Sequence, residues 1–146
     1  MPAMLVHDVM SAAPVVVSPA TRVSELLSLF DRHDYNAFPV VDDRTHVLGV
    51  VSKLDVLRAF LAPQEAGAAA VAERPAEALM TREVVAVGPE DSLRTAGERM
   101  AGAKLHSLPV VEEKDGRRLL VGVVSRGDIL RGLRYRLDDA GNDLRP

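Results

Sequence analysis

The chain has 146 residues, 47% of them apolar, a formal charge of −3, three Phe, two Tyr, and neither Trp nor Cys. That length suits one ordinary domain or two small ones sharing a core, and the aliphatic content excludes general disorder. The missing cysteine excludes disulfides, thiolate metal sites and Cys nucleophiles, while the acidic balance argues against broad nucleic-acid binding, which needs many Lys and Arg against phosphates.

With so few aromatics the core must be aliphatic, which suits Val-rich sheets under Leu-rich helices and predicts an α/β or α+β class. Met4 to Val6 is too short an apolar run for a signal peptide, and no segment approaches the roughly 18 apolar residues of a membrane span, so a cytoplasmic protein is expected.

In chain order, a short strand at Val15 to Val17 ends before Pro19. A helix follows, with Val23, Leu26, Leu27 and Phe30 at i, i+3, i+4 and i+7 and Thr21 as candidate N-cap. Two apolar runs joined by Asp42 to His46 read as a hairpin, and a second helix enters at Ser52. Ala62 to Ala76, rich in Ala, Glu and Pro, reads as a linker in which Ala66 to Glu73 has helical propensity only. The order then recurs: strand Val84 to Val87, helix from Leu93 through Ala96, Gly97 and Met100 with Asp91 as candidate cap, hairpin, and a helix from Ser125. Asp115-Gly116 is a strong turn signal in the second hairpin. From Arg134 the polar tail is expected to fray.

The recurrence is a true repeat. Val9-Met10-Ser11 returns as Leu79-Met80-Thr81, Ser18-Pro19 as Gly88-Pro89 and Phe38-Pro39-Val40-Val41 as Leu108-Pro109-Val110-Val111, all offset by 70 residues. Gly49-Val50-Val51-Ser52-Lys53-Leu54-Asp55 then returns as Gly122-Val123-Val124-Ser125-Arg126-Gly127-Asp128, offset by 73, so three residues enter between Glu112 and Leu120 and are expected to lengthen the hairpin loop. The order is β-α-β-β-α, twice.

These motifs resemble the CBS (cystathionine β-synthase) domain family: an apolar residue and Met before Ser or Thr, a Pro before the first helix, apolar-Pro-Val-Val, then Gly-apolar-apolar-Ser/Thr-x-x-Asp, each present twice. The resemblance covers about His7 to Phe60 and Pro75 to Leu133. It implies two pseudo-symmetric repeats packed as one Bateman module, with residues 1–62 and 75–136 as the CBS domains, 63–74 as linker and 137–146 as tail. It further implies two clefts between the copies that hold AMP, ADP, ATP, S-adenosylmethionine or similar ligands, each cleft drawing on both copies.

By the resemblance, Asp55 and Asp128 accept ribose hydroxyls and Ser52 and Ser125 contact phosphate. A carboxylate can take two vicinal hydroxyls, and a helix start presents N–H groups to an anion. Ser-x-x-Asp at a helix start is also the pattern of a capping box, and the two readings stand side by side. Before each Pro-Val-Val the family often places a basic residue; here the positions hold Asn36 and Ala37 against His106 and Ser107, so the two clefts are unequal, and a surface histidine is the plain alternative for His106. His33 and Lys104 are nearby, weaker candidates. Ser11, Val16, Thr81 and Ala86 can line an adenine slot, although Val and Ala there serve equally as core. Gly49 and Gly122 read as relief for a twist or bulge. Arg126, Arg131, Arg134 and Arg136 read as a solvated face.

No catalytic or metal-binding constellation is apparent: the four His lack ligand spacing, and nucleophile-elbow, phosphate-loop and dinucleotide fingerprints are missing. The expected protein is a regulatory sensor rather than an enzyme, with no obligatory cofactor, forming a homodimer and serving an unidentified partner protein. The alternative is a ligand-independent dimerisation scaffold.

Overall fold

The computed structural model describes residues 4–62 and 67–140. Its elements run α1 (Val6–Val9), α2 (Val23–Arg32), β1 (Ala37–Val41), β2 (Val47–Ser52), α3 (Lys53–Leu61), α4 (Gly67–Ala72), α5 (Ala76–Leu79), α6 (Leu93–Ala103), β3 (Ser107–Lys114), β4 (Arg117–Ser125) and α7 (Arg126–Ala140). This is an α+β protein with two small antiparallel sheets, β1–β2 and β3–β4. Among the described residues no helix is long and apolar enough to cross a membrane.

Two compact units form, and they cut across the sequence repeats. One is the continuous stretch Val15–Val84; the other joins the segment ending at Pro14 to the chain from Val85 onward. The opening of each repeat therefore packs with the body of the other. In the continuous unit α5 docks through Ala76 N–H donating to Thr21 O at 2.7 Å and Glu77 N–H to Pro19 O at 3.0 Å, after which Thr81 and Val50 exchange two backbone hydrogen bonds of 2.9 and 3.0 Å. In the other unit α1 docks through Val6 N–H to Asp91 O at 2.8 Å and His7 N–H to Pro89 O at 3.0 Å, and Ser11 and Val123 exchange bonds of 2.9 and 3.0 Å.

Each unit has its own core. Phe38, Leu26, Val23, Val40 and Val51 are fully buried in the continuous unit together with Ala76 of α5. Leu108, Val110, Val124, Ala96 and, from α1, Val6 are fully buried in the other. The helical positions are those that periodicity selects, whereas β1 and β3 each bury four consecutive residues, Phe38 to Val41 and Leu108 to Val111. Leu27 departs from the expected apolar face of α2 and is 45% exposed.

Several expectations are corrected. The Val15 to Val17 and Val84 to Val87 strands reduce to one paired residue each, Val17 beside Val40 and Val87 beside Val110. Thr21 and Asp91 stand one residue before the caps. Their side chains bond back to Ser18 N–H at 3.1 Å and Gly88 N–H at 2.7 Å, closing the turn that delivers the chain to the helix. The caps are Arg22, whose N–H donates to Glu25 Oε1 at 3.2 Å, and Ser92, whose hydroxyl accepts from Thr95 N–H at 3.1 Å.

The three-residue insertion extends the strands rather than the loop. β3 and β4 have 8 and 9 residues against 5 and 6 in β1 and β2, and Asp115 and Gly116, at φ 52° and 74°, turn the chain in two residues. Positive φ at both central positions gives the turn a twist that matches the strands. The frayed tail expected from Arg134 is instead helical as far as Ala140, because extending a formed helix needs no new nucleus. In the linker, Gly67–Ala72 is helical with Val71 buried, while Ala66 lies outside the described residues.

Candidate functional site

Ser52 closes β2 and caps α3; Ser125 closes β4 and stands in the same place before α7. Both form the reciprocal capping box. Ser52 Oγ accepts from Asp55 N–H at 3.0 Å while Asp55 Oδ2 accepts from Ser52 N–H at 2.8 Å; for Ser125 and Asp128 the distances are 3.1 and 2.8 Å. The capping reading of Ser-x-x-Asp is thus real in both repeats, with Asp in the place where a capping box usually has Glu. It leaves one carboxylate oxygen, Oδ1, on the far side of the cap.

The cap also changes what a ligand can meet. The N–H of the first helical residue already donates to the strand-entry carbonyl, Lys53 to Asn36 O at 2.9 Å and Arg126 to His106 O at 3.0 Å. The third is taken by the serine hydroxyl. Among the described residues that leaves the second N–H, of Leu54 or Gly127, without an acceptor, so each helix start offers one amide rather than a row. The carboxylates differ in what remains: Oδ2 of each takes the cap N–H, and Oδ1 of Asp128 also pairs with Arg131.

Register brings the other candidates together. In the continuous unit Ala37 pairs with Ser52 and Pro39 with Val50, and Thr81 lies opposite Val50 on the outer side of β2. Paired residues share a face and alternate residues return to it, so Ala37, Ser52 and Thr81 lie on the face opposite buried Phe38 and Val51. Val16 precedes core-facing Val17 and therefore joins them. The second unit repeats this: Ser107 pairs with Ser125, Ser11 lies opposite Val123, and Ala86 precedes Val87. Asn36 and His106 sit at the strand entries, both exposed. The candidate positions of each unit thus fall at one end of that unit's own sheet, and each unit draws one of them, Thr81 or Ser11, from the opening of the other repeat.

Gly49 and Gly122 do more than relax a bulge. The bulge is present, since the register shifts just beyond Val40 and Val110. A Cβ built at Gly49 would also lie 2.7 Å from Met80 Sδ and 2.8 Å from Thr81 O; at Gly122 it would lie 2.7 Å from both Met10 Sδ and Ser11 O. The glycine, the methionine and the Ser or Thr are thereby one device: backbone approaches backbone, and the residue after Met is delivered to the site face.

The surroundings differ. In the first repeat Lys53 Nζ lies 5.9 Å over the Phe30 ring, and His33 stacks on Tyr35 at 5.5 Å. In the second, Arg126 Nε donates to Leu105 O at 2.8 Å, Arg131 pairs with Asp128 Oδ1, and Lys104 ends α6 in the left-handed region at φ 57°. The solvated-face reading of the arginines omits these contacts of Arg126 and Arg131; periodicity cannot detect a side chain turning back to a carbonyl or carboxylate. Among the described residues no three His, Asp or Glu cluster as metal ligands would.

Two sheet-and-helix units carrying the same Ser-x-x-Asp box define a tandem-repeat module. The chain belongs to the CBS domain family, whose profile matches residues 6–62 and 76–135. It is 31% identical over 124 residues to the CBS domain-containing protein YhcV of Bacillus subtilis, covering 85% of this chain and 81% of that one. CBSX2 from Arabidopsis thaliana superposes with a TM-score of 0.78 at 27% identity, covering 94% of this chain and 99% of that one. A structure of CBSX2 in complex with AMP matches at 0.76 and 29%, covering 90% and 96%. The CBS domain pair of protein MJ0100, in complex with 5′-methylthioadenosine and S-adenosyl-L-methionine, matches at 0.70 and 26%, covering 88% and 98%. The chain spans 23% of the length of two relatives that are enzymes, an L-aspartate semialdehyde sulfurtransferase of Methanocaldococcus jannaschii and an inosine-5′-monophosphate dehydrogenase of Aquifex aeolicus.

Proposed function

We propose that this chain is a regulatory sensor that binds an adenosyl ligand, AMP, ADP, ATP, S-adenosylmethionine or a related compound, at the Ser-x-x-Asp ends of its sheets, and that it catalyses no reaction. One observation carries the reading: in both units a carboxylate held by a capping box keeps its second oxygen clear of the cap, beside a serine, one amide and a small-residue sheet face. A sugar hydroxyl can donate to that oxygen, an anion can take the amide and serine, and the apolar face can hold a base. Relatives bound to AMP, 5′-methylthioadenosine and S-adenosylmethionine support the same ligand class.

Asp55, Ser52, Asn36, Ala37, Val16 and Thr81 form one half-site, and Asp128, Ser125, His106, Ser107, Ala86 and Ser11 the other. A nucleotide of about two dozen heavy atoms at roughly 0.3 kcal/mol each reaches about −7 kcal/mol, or micromolar affinity. Ligand regulation then requires a second state of the module, in a homodimer or with a partner protein, that binds the ligand differently. A cytoplasmic setting belongs to the same proposal and rests on the cysteine-free composition.

Thermal denaturation of the full chain with AMP, ADP, ATP, S-adenosylmethionine and NAD tests this. An adenosyl ligand at about 100 times its Kd should add roughly 2.7 kcal/mol of stability and raise Tm by several degrees. A panel without any shift favours a second reading, a ligand-independent scaffold. The leucines of α3 speak for that reading, since Leu54, Leu57 and Leu61 are 50%, 53% and 73% exposed.

A further inference from the structure

The half-sites differ in the state of their carboxylates. Asp128 accepts from Ser125 N–H on Oδ2 and pairs with the Arg131 guanidinium on Oδ1. Asp55 accepts from Ser52 N–H on Oδ2, and its Oδ1 meets no donor among the described residues, although Arg58 stands three residues on, as Arg131 does from Asp128. The second of the two residues between serine and aspartate differs between the repeats. Gly127 occupies the position that Leu54 holds in the first repeat, and a Cβ built there would lie 3.4 Å from Arg131 Nη1 and 3.7 Å from Ser125 Oγ. The guanidinium lies beside a helix start that Gly127 leaves bare, where a side chain longer than a methyl group would compete with it for room.

We propose that Arg131 is a specificity-determining latch: it holds the sugar acceptor of the second half-site closed to unphosphorylated adenosyl ligands and releases it to ligands that carry a phosphate. This rests on the nucleotide reading of Ser-x-x-Asp given above. With the guanidinium on Asp128 Oδ1, a sugar hydroxyl must compete with it for that oxygen. Adenosine brings nothing to replace the lost pair. A phosphate does, because it offers the guanidinium fork a second anion, so Arg131 exchanges Asp128 for the ligand and the freed carboxylate accepts the hydroxyl. The exchange is cheap, since the Arg131 side chain is 72% exposed and such a partner is held loosely, while Asp128 at 13% stays in place. The first half-site has no latch and accepts both kinds of ligand. One chain thus carries a general adenosyl site beside a phosphate-selective one.

The test uses the full chain carrying Asp55→Ala, so that the second half-site dominates, titrated calorimetrically with adenosine and with AMP. AMP should bind about tenfold more tightly than adenosine. Adding Arg131→Leu, or separately Gly127→Leu, should tighten adenosine about fivefold and bring the two ligands close together. In the converse Asp128→Ala chain, Arg131→Leu should leave adenosine unchanged. If Arg131→Leu merely weakens AMP while adenosine stays as it was, Arg131 is a simple phosphate contact and the latch is overturned with the site intact. If the wild-type chain binds neither ligand, the latch is overturned; if it also binds no member of the adenosyl panel, the nucleotide reading falls with it.

Discussion

The two hairpins are alike at one end and unlike at the other. From Ala37↔Ser52 to Val40↔Gly49 the pairing of β1 and β2 matches, step for step, that of β3 and β4 from Ser107↔Ser125 to Val110↔Gly122. Beyond the bulge they part. The first closes in a five-residue loop gathered around Asp42, whose Oδ1 accepts from Arg44 and His46 N–H, both at 2.9 Å. The second runs on to the Asp115-Gly116 turn. The shared geometry is where a strap of the other repeat crosses the strand at backbone contact; at the divergent end no such strap crosses among the described residues. Tolerance to change should follow that division.

The largest effect is expected at the crossings. Gly49→Ala and Gly122→Ala each place a methyl group where a methionine sulfur and a carbonyl already stand, and each should cost about 1–3 kcal/mol in urea titrations, equally in both units. A cost below a few tenths at either position would break the symmetry argued here. At the turn end, Thr45 holds φ 68° although it is β-branched. Thr45→Gly should therefore be neutral or stabilising, by up to about 1 kcal/mol.

The smallest effect is a pH dependence confined to the first loop. The His46 N–H bonded to Asp42, with the Arg44 N–H and the His46 ring adding to it against the opposing effect of burial, holds the carboxyl of Asp42 below its ordinary value of 3.8. Since the folded value is the lower one, the stability Asp42 contributes is complete above the unfolded value and is lost as pH falls through the folded value. Asp42→Asn should be less stable than wild type near neutrality and converge with it in acid; parallel curves down to the lowest pH would contradict this.

Much of this was legible in the residues. The 70-residue repeat, the α+β class, the hairpin at Asp115-Gly116 and the Ser-x-x-Asp boxes are all local patterns, and local patterns survive in a linear reading. What escaped was non-local or short by one residue. The pairing of Met10 with Gly122 spans more than a hundred positions and leaves no periodicity, so the exchange of straps between repeats could not be read. Thr21 and Asp91 have cap-like side chains, but these bond backward into the preceding turn, which composition cannot distinguish from bonding forward. Both roles of Ser-x-x-Asp were open in the sequence; the structure shows the cap in place in both repeats, with the second oxygen of Asp128 paired to Arg131.

The most direct measurement is calorimetric titration of AMP into the wild-type chain and into the Asp55→Ala/Asp128→Ala double variant, with melting curves of both free proteins. The account predicts saturable binding by the wild type and affinity about ten- to a hundredfold weaker at each half-site of the variant, because each forfeits a charged acceptor worth roughly 1.5–3 kcal/mol. The lost cap bonds should lower the melting temperature by only a few degrees. Equal affinity in the two proteins would contradict it, and would leave these carboxylates as helix caps alone.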